Sequence, residues 1–300
     1  MPEKIPGGLP LTGFLPKAQA EGYAVAALSP RYRACIRPIV EAAWELRSPL
    51  IVQISQRELN NFGLTPAEVR AELERVVRGL KLDLPFALHL DHSWDLPVIE
   101  EAIAAGFTSV MVDASSAPFE ENVDITRQVV KMAHPLGVSV EAELGRLTTT
   151  DKLETESDEE MYTDPAEARE FVRLTGCDAL AVSVGTAHGV YAVKNPKIDF
   201  ERLAAIRQAV GPQMILVLHG GSGLPAETVH RAIALPGGGI SKVNIATDLE
   251  NAMLAAMGTE RMTSAQLDQL PPALLAKGLA AVKKEAKEKI EHFVRSAHRA

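Results

Sequence analysis

Apolar and polar positions fall in alternating blocks along the chain. Eight short runs rich in apolar and β-branched residues recur: Tyr23–Leu28, Leu50–Ile54, Phe86–Leu90, Ser109–Val112, Val138–Ala142, Ala179–Val184, Met214–Leu218 and Ile240–Ile245. Each has the length and composition of a buried strand. The segments between them carry helical spacing and helix-start signals. Thr65-Pro66-Ala67-Glu68 offers an N-cap, a proline at the first helical position and a glutamate at the third, and Asp164-Pro165-Ala166-Glu167 repeats that logic. Pro97–Ala105 runs into Gly106, a natural helix stop.

Eight alternating strand–helix units predict an α/β fold, a (β/α)8 TIM barrel. A doubly wound open sheet is the alternative, because a strand count does not prove closure. The polar residues favour the barrel. Ser29, Ser55, Asp91, His92, Asp113, Glu143, His188, His219, Asn244 and Thr247 all follow the C-terminal ends of strand-like runs. A closed ring brings such residues to one face, where barrel enzymes place their chemistry, whereas an open sheet spreads them out. Two segments break the rhythm. Leu147–Met161 is long, polar and without apolar periodicity, so it is a candidate mobile lid, and Pro236-Gly237-Gly238-Gly239 is a short connection before the last strand. The 300 residues are expected to form one catalytic domain with a helical C-terminal extension from about 249. Within that extension Gly278–Arg299 is amphipathic and lysine-rich, suited to pack on the barrel or on a neighbouring subunit.

Composition narrows the partners. Hydrophobic residues make up 46% and charged residues 23%, with a formal net charge of -8. This balance argues against nucleic acid or an anionic membrane as the main partner and leaves room for a small anionic substrate. Cys35 and Cys177 are the sole cysteines and form no CxxC pair, so a reducing, cytoplasmic setting is expected. The N-terminus is interrupted by Pro2, Pro6 and Pro10 and does not read as a signal peptide, and no run has the length of a membrane span.

The candidate chemistry lies in four segments. His89-Leu90-Asp91-His92 puts a potential metal ligand, His92, beside a potential proton carrier, Asp91. His188 and His219 likewise follow apolar runs and precede glycines. Three imidazoles and a carboxylate at strand ends are the parts of a catalytic zinc site. Asp91 could orient a ligand or exchange a proton with a hydroxyl near the metal; its place beside His92 favours the second role. Asp113 and Glu143 read as support for the metal site or as alternative ligands, and His89 as either support or core. His134, His230, His292 and His298 carry no such pattern. In His219-Gly220-Gly221-Ser222-Gly223 the backbone N–H groups can approach an anion closely. Asn244-Ile245-Ala246-Thr247-Asp248 adds neutral donors after the eighth strand, where barrels often bind phosphate.

Taken together, the segments Ala87–His92, Pro118–Asn122, Val140–Gly145, Tyr162–Pro165, Gly185–Gly189, His219–Gly223 and Lys242–Thr247 resemble, in order, the class II zinc-dependent ketose-bisphosphate aldolases, the group of fructose- and tagatose-1,6-bisphosphate aldolases. The resemblance implies that His92, His188 and His219 hold one catalytic Zn2+ per chain. It makes Asp91 the carrier of the proton on the hydroxyl that becomes the aldehyde. Gly189, Gly220, Ser222, Asn244, Thr247 and Ser55 would bind substrate or phosphate, and a monovalent cation, Na+ or K+, would sit near the phosphate. The implied reaction is reversible cleavage of a phosphorylated ketose to dihydroxyacetone phosphate and an aldehyde through a zinc-stabilised enediolate, in a homodimer or homotetramer. Two departures from the family pattern stand out. Leu147-Thr148-Thr149-Thr150-Asp151 replaces a Gly-Gly stretch and its acidic residues, which makes Asp151 the candidate second proton carrier, with Glu154 and Glu156 nearby. Ser29 replaces a family asparagine after the first strand, and Gln56-Arg57 replaces small residues after the second, so Arg57 or Arg31 could read an anion on the aldehyde half. The alternatives are the same chemistry on a diverged substrate (a sulfofructose or deoxyketogluconate phosphate), a non-catalytic partner subunit, which should have lost metal ligands, and a zinc hydrolase, which should carry a His-x-His pair on its first strand.

Overall fold

All eight predicted strands form: β1 (Val25–Leu28), β2 (Leu50–Ser55), β3 (Phe86–Ser93), β4 (Ser109–Val112), β5 (Ser139–Leu144), β6 (Ala179–Val182), β7 (Ile215–Leu218) and β8 (Ile240–Ile245). The computed structural model describes residues 5–145, 148–149, 162–188 and 198–300, with the backbone alone for 148–149 and 187–188. Every strand pairs in parallel with its neighbours in sequence, and β8 closes onto β1 from Val25↔Lys242 to Leu28↔Ile245. The sheet is therefore a closed eight-stranded barrel, and the open-sheet alternative falls. Helices follow the strands in turn, from Ile36–Glu45 after β1 to Thr247–Met257 after β8. The two sequence-read helix starts are capped as expected. Thr65 Oγ1 accepts from Glu68 N at 3.3 Å while Thr65 N donates to Glu68 Oε2 at 2.8 Å, and Asp164 accepts from Ala166 N and Glu167 N at 2.8 and 2.9 Å.

The runs read as mostly apolar because parallel strands are buried on both faces, yet their sides alternate, apart from the register shifts on β3 and β8. Leu50, Val52 and Ile54 face the helices, as do Leu88 and Leu90, or Leu216 and Leu218; they join one large cluster between sheet and helices. Val25, Ala27, Ile51, Ala87, Met111, Ala179, Ala181, Ile215 and Val217 face the lumen and form a second cluster. The helix Leu15–Glu21 and the turn before it plug the lower end of the lumen with Leu11, Phe14, Leu15 and Ala18.

Several strand boundaries shift by one to three residues from the sequence reading, and two of the shifts have a visible cause. β3 continues to Ser93, three residues past the apolar run, because Asp91 still pairs with Ser55 of β2 and Ser93 pairs with Val112 of β4 beyond a register shift. β6 stops at Val182, since Ser183 N turns aside to Thr163 Oγ1 at 2.8 Å. The C-terminal helix Pro272–Glu288 packs on the barrel. It lies against Thr247–Met257 and Ile36–Glu45, crosses so closely that a Cβ on Gly278 would stand 2.6 Å from Met257 Sδ, and pairs Lys283 with Glu41 and Glu45. No described helix is long and apolar enough to cross a membrane.

Candidate active site

The inward positions of the strands change character on the way up the barrel. On β3 they run Ala87, His89, Asp91; on β5 Ser139, Glu141, Glu143; on β7 and just beyond it Ile215, Val217, His219; on β8 Lys242 and Asn244. Plain alternation would turn His92 away from the side that Asp91 faces. The register shift against β4, where Leu90 pairs Val110 but Ser93 pairs Val112, inserts one extra residue at this point, and His92 has a φ of 26°. Such a bulge re-aims a side chain. Asp91 and His92 consequently both line the same cavity of about 410 Å³.

His219 is fully buried beside His92, the ring centroids 4.4 Å apart. One nitrogen of each imidazole is held by a carboxylate: His92 Nδ1 by Asp113 Oδ2 at 2.8 Å, and His219 Nε2 by Glu141 Oε1 at 2.9 Å. Carboxylates fix the tautomer of metal-ligating histidines in this way. Glu143 Oε2 lies 3.2 Å from His219 Nδ1 and 3.9 Å from His92 Nδ1. Two overlapping donor triads result, Asp91–His92–His219 and His92–Asp113–Glu143. Their imidazole nitrogens and carboxylate oxygens are the donors zinc prefers, so the residues fit the metal. A third triad, His89–Asp91–Glu141, is already served by a cation, because Lys242 Nζ sits 2.9 Å from Glu141 Oε2.

The electrostatics point the same way. Burial, the strongest single influence on His92, disfavours its charged form, yet Asp91, Asp113 and Glu143 outweigh it and raise the pKa to about 10. Burial likewise pushes Asp91 and Asp113 up, and is overcome by their cationic and hydrogen-bonding neighbours, so both are held below the usual carboxylate value. His89 goes the other way. Burial and then Lys242 press it down to about 3, and its Nδ1 rests on Ser109 Oγ at 2.8 Å. Four carboxylates, Asp91, Asp113, Glu141 and Glu143, thus surround the two imidazoles, a setting that suits a cation.

Opposite this cluster the loop after β7 and the start of the last barrel helix form a cradle. Gly220 has a φ of 67° and lines the cavity. A Cβ on Gly221 would meet Val243 Cγ1 at 2.6 Å and Asn244 O at 2.7 Å, so only glycine lets this loop lie against β8. Ser222 Oγ accepts from Ala246 N and Asp248 N at 3.2 and 3.3 Å, which joins the loop to the N-terminus of the helix Thr247–Met257. Gly220, Ser222, Asn244 and Thr247 all line the cavity, with a helix N-terminus suited to an anion behind them. Asn244 also holds Asp91, its Nδ2 donating to Asp91 Oδ1 at 2.9 Å.

The two candidate anion readers part company. Arg31 donates to Glu58 and Glu250, and reaches Thr247 Oγ1 at 3.2 Å. Arg31 lines the cavity, and its guanidinium ties the helix Gln56–Phe62 to the helix Thr247–Met257. Arg57 lines the cavity and makes no hydrogen bond or ion pair among the described residues. Ser55 lines the cavity and caps the helix Gln56–Phe62 in a reciprocal pair with Glu58. Gln56 is buried, and its Oε1 accepts from Ser93 Oγ, Trp94 N and Asp95 N, fastening the loop after β3. His188 lies in a two-residue strand, Ala187–His188, that pairs with Thr148–Thr149 and brings its backbone beside the chain leaving β5. Its side chain, Gly189, Asp151 and the lid segment lie outside the described residues. Sequence reasoning assigned no role to Gln53, Gln56, Glu141 or Lys242. Glu141 and Lys242 stand on the inward parity two positions before Glu143 and Asn244, and that spacing was the available signal.

A parallel barrel with an imidazole–carboxylate cluster and an anion cradle at its C-terminal mouth belongs among the barrel enzymes that work on small metabolites there. Comparison with known proteins narrows this further. The family model for fructose-bisphosphate aldolase class-II matches residues 10–299, and the chain belongs to that family. Among solved structures, the YdjI aldolase from Escherichia coli K12 is 33% identical with a TM-score of 0.81, over 98% of this chain and 99% of that one. A putative fructose-1,6-biphosphate aldolase from Coccidioides immitis is 29% identical with a TM-score of 0.75, over 95% and 96%. The fructose-bisphosphate aldolase from Campylobacter jejuni, at 23% identity and a TM-score of 0.76 over 97% of each chain, shares the fold. Family membership makes the protein an aldolase, a carbon–carbon lyase of sugar metabolism.

Proposed function

We propose that the protein reversibly cleaves a phosphorylated ketose, of the fructose- or tagatose-1,6-bisphosphate kind, to dihydroxyacetone phosphate and an aldehyde. The observation that carries this reading is the meeting of Asp91, the His92–His219 cluster and the glycine–serine cradle around one cavity. His92, His188 and His219 would hold Zn2+, with Glu143 and Asp113 in support. Bound zinc would supply Lewis-acid polarisation of the substrate ketone.

The protein's own residues do the rest. Gly220, Ser222, Asn244, Thr247 and Gly189 hold the phosphate and hydroxyls of the ketone half, where a Na+ or K+ ion would add charge neutralisation, and so fix the scissile bond beside Asp91. The Asp91 carboxylate takes the proton of the hydroxyl next to that bond. As the oxygen becomes a carbonyl, the bonding electron pair passes to the ketone half, whose carbon then takes a proton from Asp151. A homodimer or homotetramer is the assembly that goes with this reading, and light scattering tests it. Purified protein given a panel of ketose phosphates should release dihydroxyacetone phosphate, lose that activity to a chelator, regain it with zinc, and resist borohydride trapping. Covalent trapping on a lysine would overturn the mechanism.

Arg57 supports a second reading of the aldehyde half. With Arg31 committed to carboxylates, Arg57 is the arginine placed to read a distal phosphate, carboxylate or sulfonate. Arg57→Ala should then lower kcat/KM at least about tenfold for a ketose with a distal anion, and leave one truncated before that group within about threefold. Equal losses on both would sink the assignment.

A further inference from the structure

Lys242 is fully buried in the lumen below the cavity and forms no part of its wall. A buried ammonium is costly unless paired and hydrogen-bonded, and a buried ion pair adds little stability over an apolar replacement. Its partners therefore bear on what it does. Lys242 Nζ lies 3.0 and 2.9 Å from the two oxygens of Glu141 and 2.8 Å from Asn244 Oδ1. An ammonium has three donors and no acceptor, so the end of the Asn244 amide that faces it must be the oxygen. The NH2 end is left for Asp91 Oδ1, at 2.9 Å. Turning the amide over would set NH2 against an ammonium and oxygen against a carboxylate, which loses both bonds and adds two repulsions. The line Glu141–Lys242–Asn244–Asp91 thus has one direction. Gln53 Nε2 donates to the other Asp91 oxygen at 3.2 Å, so both carboxylate oxygens are gripped from outside β3. On the β4 side Asp91 lies within the register shift between Leu90 and Ser93, so these side-chain bonds add to what the β2 pairing at Ser55 fixes.

We propose that Lys242 is a positioning residue for carbon–carbon bond cleavage: it sets the orientation of the Asn244 amide, and the amide aims the Asp91 carboxylate at the substrate hydroxyl. The inference rests on the aldolase reaction proposed above and adds to it a residue that touches neither substrate nor metal. Two half-reactions separate its role from a structural one. Cleavage of the ketose needs Asp91. Exchange of the C–H proton of dihydroxyacetone phosphate with solvent needs the phosphate cradle and the metal site, but leaves the Asp91 proton transfer unused.

The experiment measures both reactions, with bound zinc, in Lys242→Met. Cleavage kcat should fall about 100-fold, as a misaimed catalytic group does, while the exchange rate, which senses Asn244 only through the cradle, falls at least about tenfold less and zinc content is unchanged. Adding Lys242→Met to Asn244→Ala should cost less than about threefold more, because the path is already cut. If the single variant does not fold because Glu141 loses its partner, Glu141→Gln/Lys242→Met removes both buried charges together and is read against the parent by the same ratio of cleavage to exchange. Equal loss of cleavage and exchange, loss of zinc, or a full second penalty in the Asn244→Ala background would overturn the proposal. A parent protein that neither cleaves ketose phosphates nor exchanges the proton would instead overturn the aldolase reading itself, and the role of Lys242 with it.

Discussion

The lower and upper halves of the barrel lumen are built from the same strands on the same inward parity, yet they differ in almost every physical respect. The lower half holds Val25, Ile51, Met111, Ile215 and the plug residues Leu11, Phe14 and Leu15, all buried and apolar. Further up the same parity the strands present His89, Glu141 and Lys242, and above these Asp91, Glu143, Asn244 and His219. The apolar half contributes stability by removing carbon from water. The polar half keeps its buried charges through direct pairing, such as Lys242–Glu141, His92–Asp113 and His219–Glu141. Stability and chemistry are thus stacked along one axis, and substitutions in each half should damage different measurements.

His219→Ala should have the largest effect. It takes one nitrogen donor from the Asp91–His92–His219 triad and leaves Glu141 and Glu143 without their shared imidazole. Ketose cleavage should fall at least about 1,000-fold, about 4 kcal/mol of barrel-mouth chemistry, and elemental analysis should find the bound zinc lost. A variant that keeps stoichiometric zinc and most of its activity would remove His219 from the metal site.

Leu15→Ala tests the other half. Leu15 is fully buried in the plug, and its truncation should cost about 3 kcal/mol of unfolding free energy through lost burial and a residual cavity. The reaction rate of the remaining folded protein should stay within about twofold, because Leu15 lies in the plug, at the other end of the lumen from the donor set. Denaturant unfolding together with kcat at a permissive temperature checks both. A large drop in kcat without a shift in the unfolding midpoint would mean that the two halves are mechanically coupled.

The eight strands and the barrel were legible in the sequence because each run is apolar throughout and each is followed by a helical pattern. The same property hid the division of the lumen. A parallel strand buried on both faces shows no polar side by which to read its parity, so nothing marked Glu141 and Lys242 as facing the lumen. His92 needed a bulge to share a wall with Asp91, and a bulge leaves no mark in the residues that form it. Arg31 and Arg57 were equivalent as sequence, two arginines just past strand ends. Contacts from distant elements separate them, since Glu58 follows β2 and Glu250 lies on the last barrel helix. Gln56 looked like a departure from the family's small residues at the pocket. It fastens Ser93, Trp94 and Asp95 in place, a role set by the neighbouring loop.

The smallest effect is expected at the rim, where the charged half meets solvent. Glu250 is buried and accepts from Arg31, from Tyr32 Oη at 3.1 Å and from Arg261 Nε at 2.8 Å. Burial, the strongest influence on its carboxyl, pushes the pKa up, but the Arg261 hydrogen bond and the attraction of Arg31 and Arg261 outweigh it and hold the group below its ordinary value of 4.5. A carboxyl depressed in the folded state adds stability that is complete above the unfolded value and lost as pH falls through the folded one. Glu250→Gln keeps an oxygen acceptor but loses the charge, so it should cost about 1 kcal/mol at pH 7. The difference from the parent should shrink as the pH drops below about 4.5, where the parent gives up the same charge. Denaturant unfolding at pH 7 and at several acidic values reads this directly. If the gap between the two proteins stays constant on acidification, the rim pairs are screened surface contacts and the boundary between the two regimes lies deeper in the barrel than Glu250.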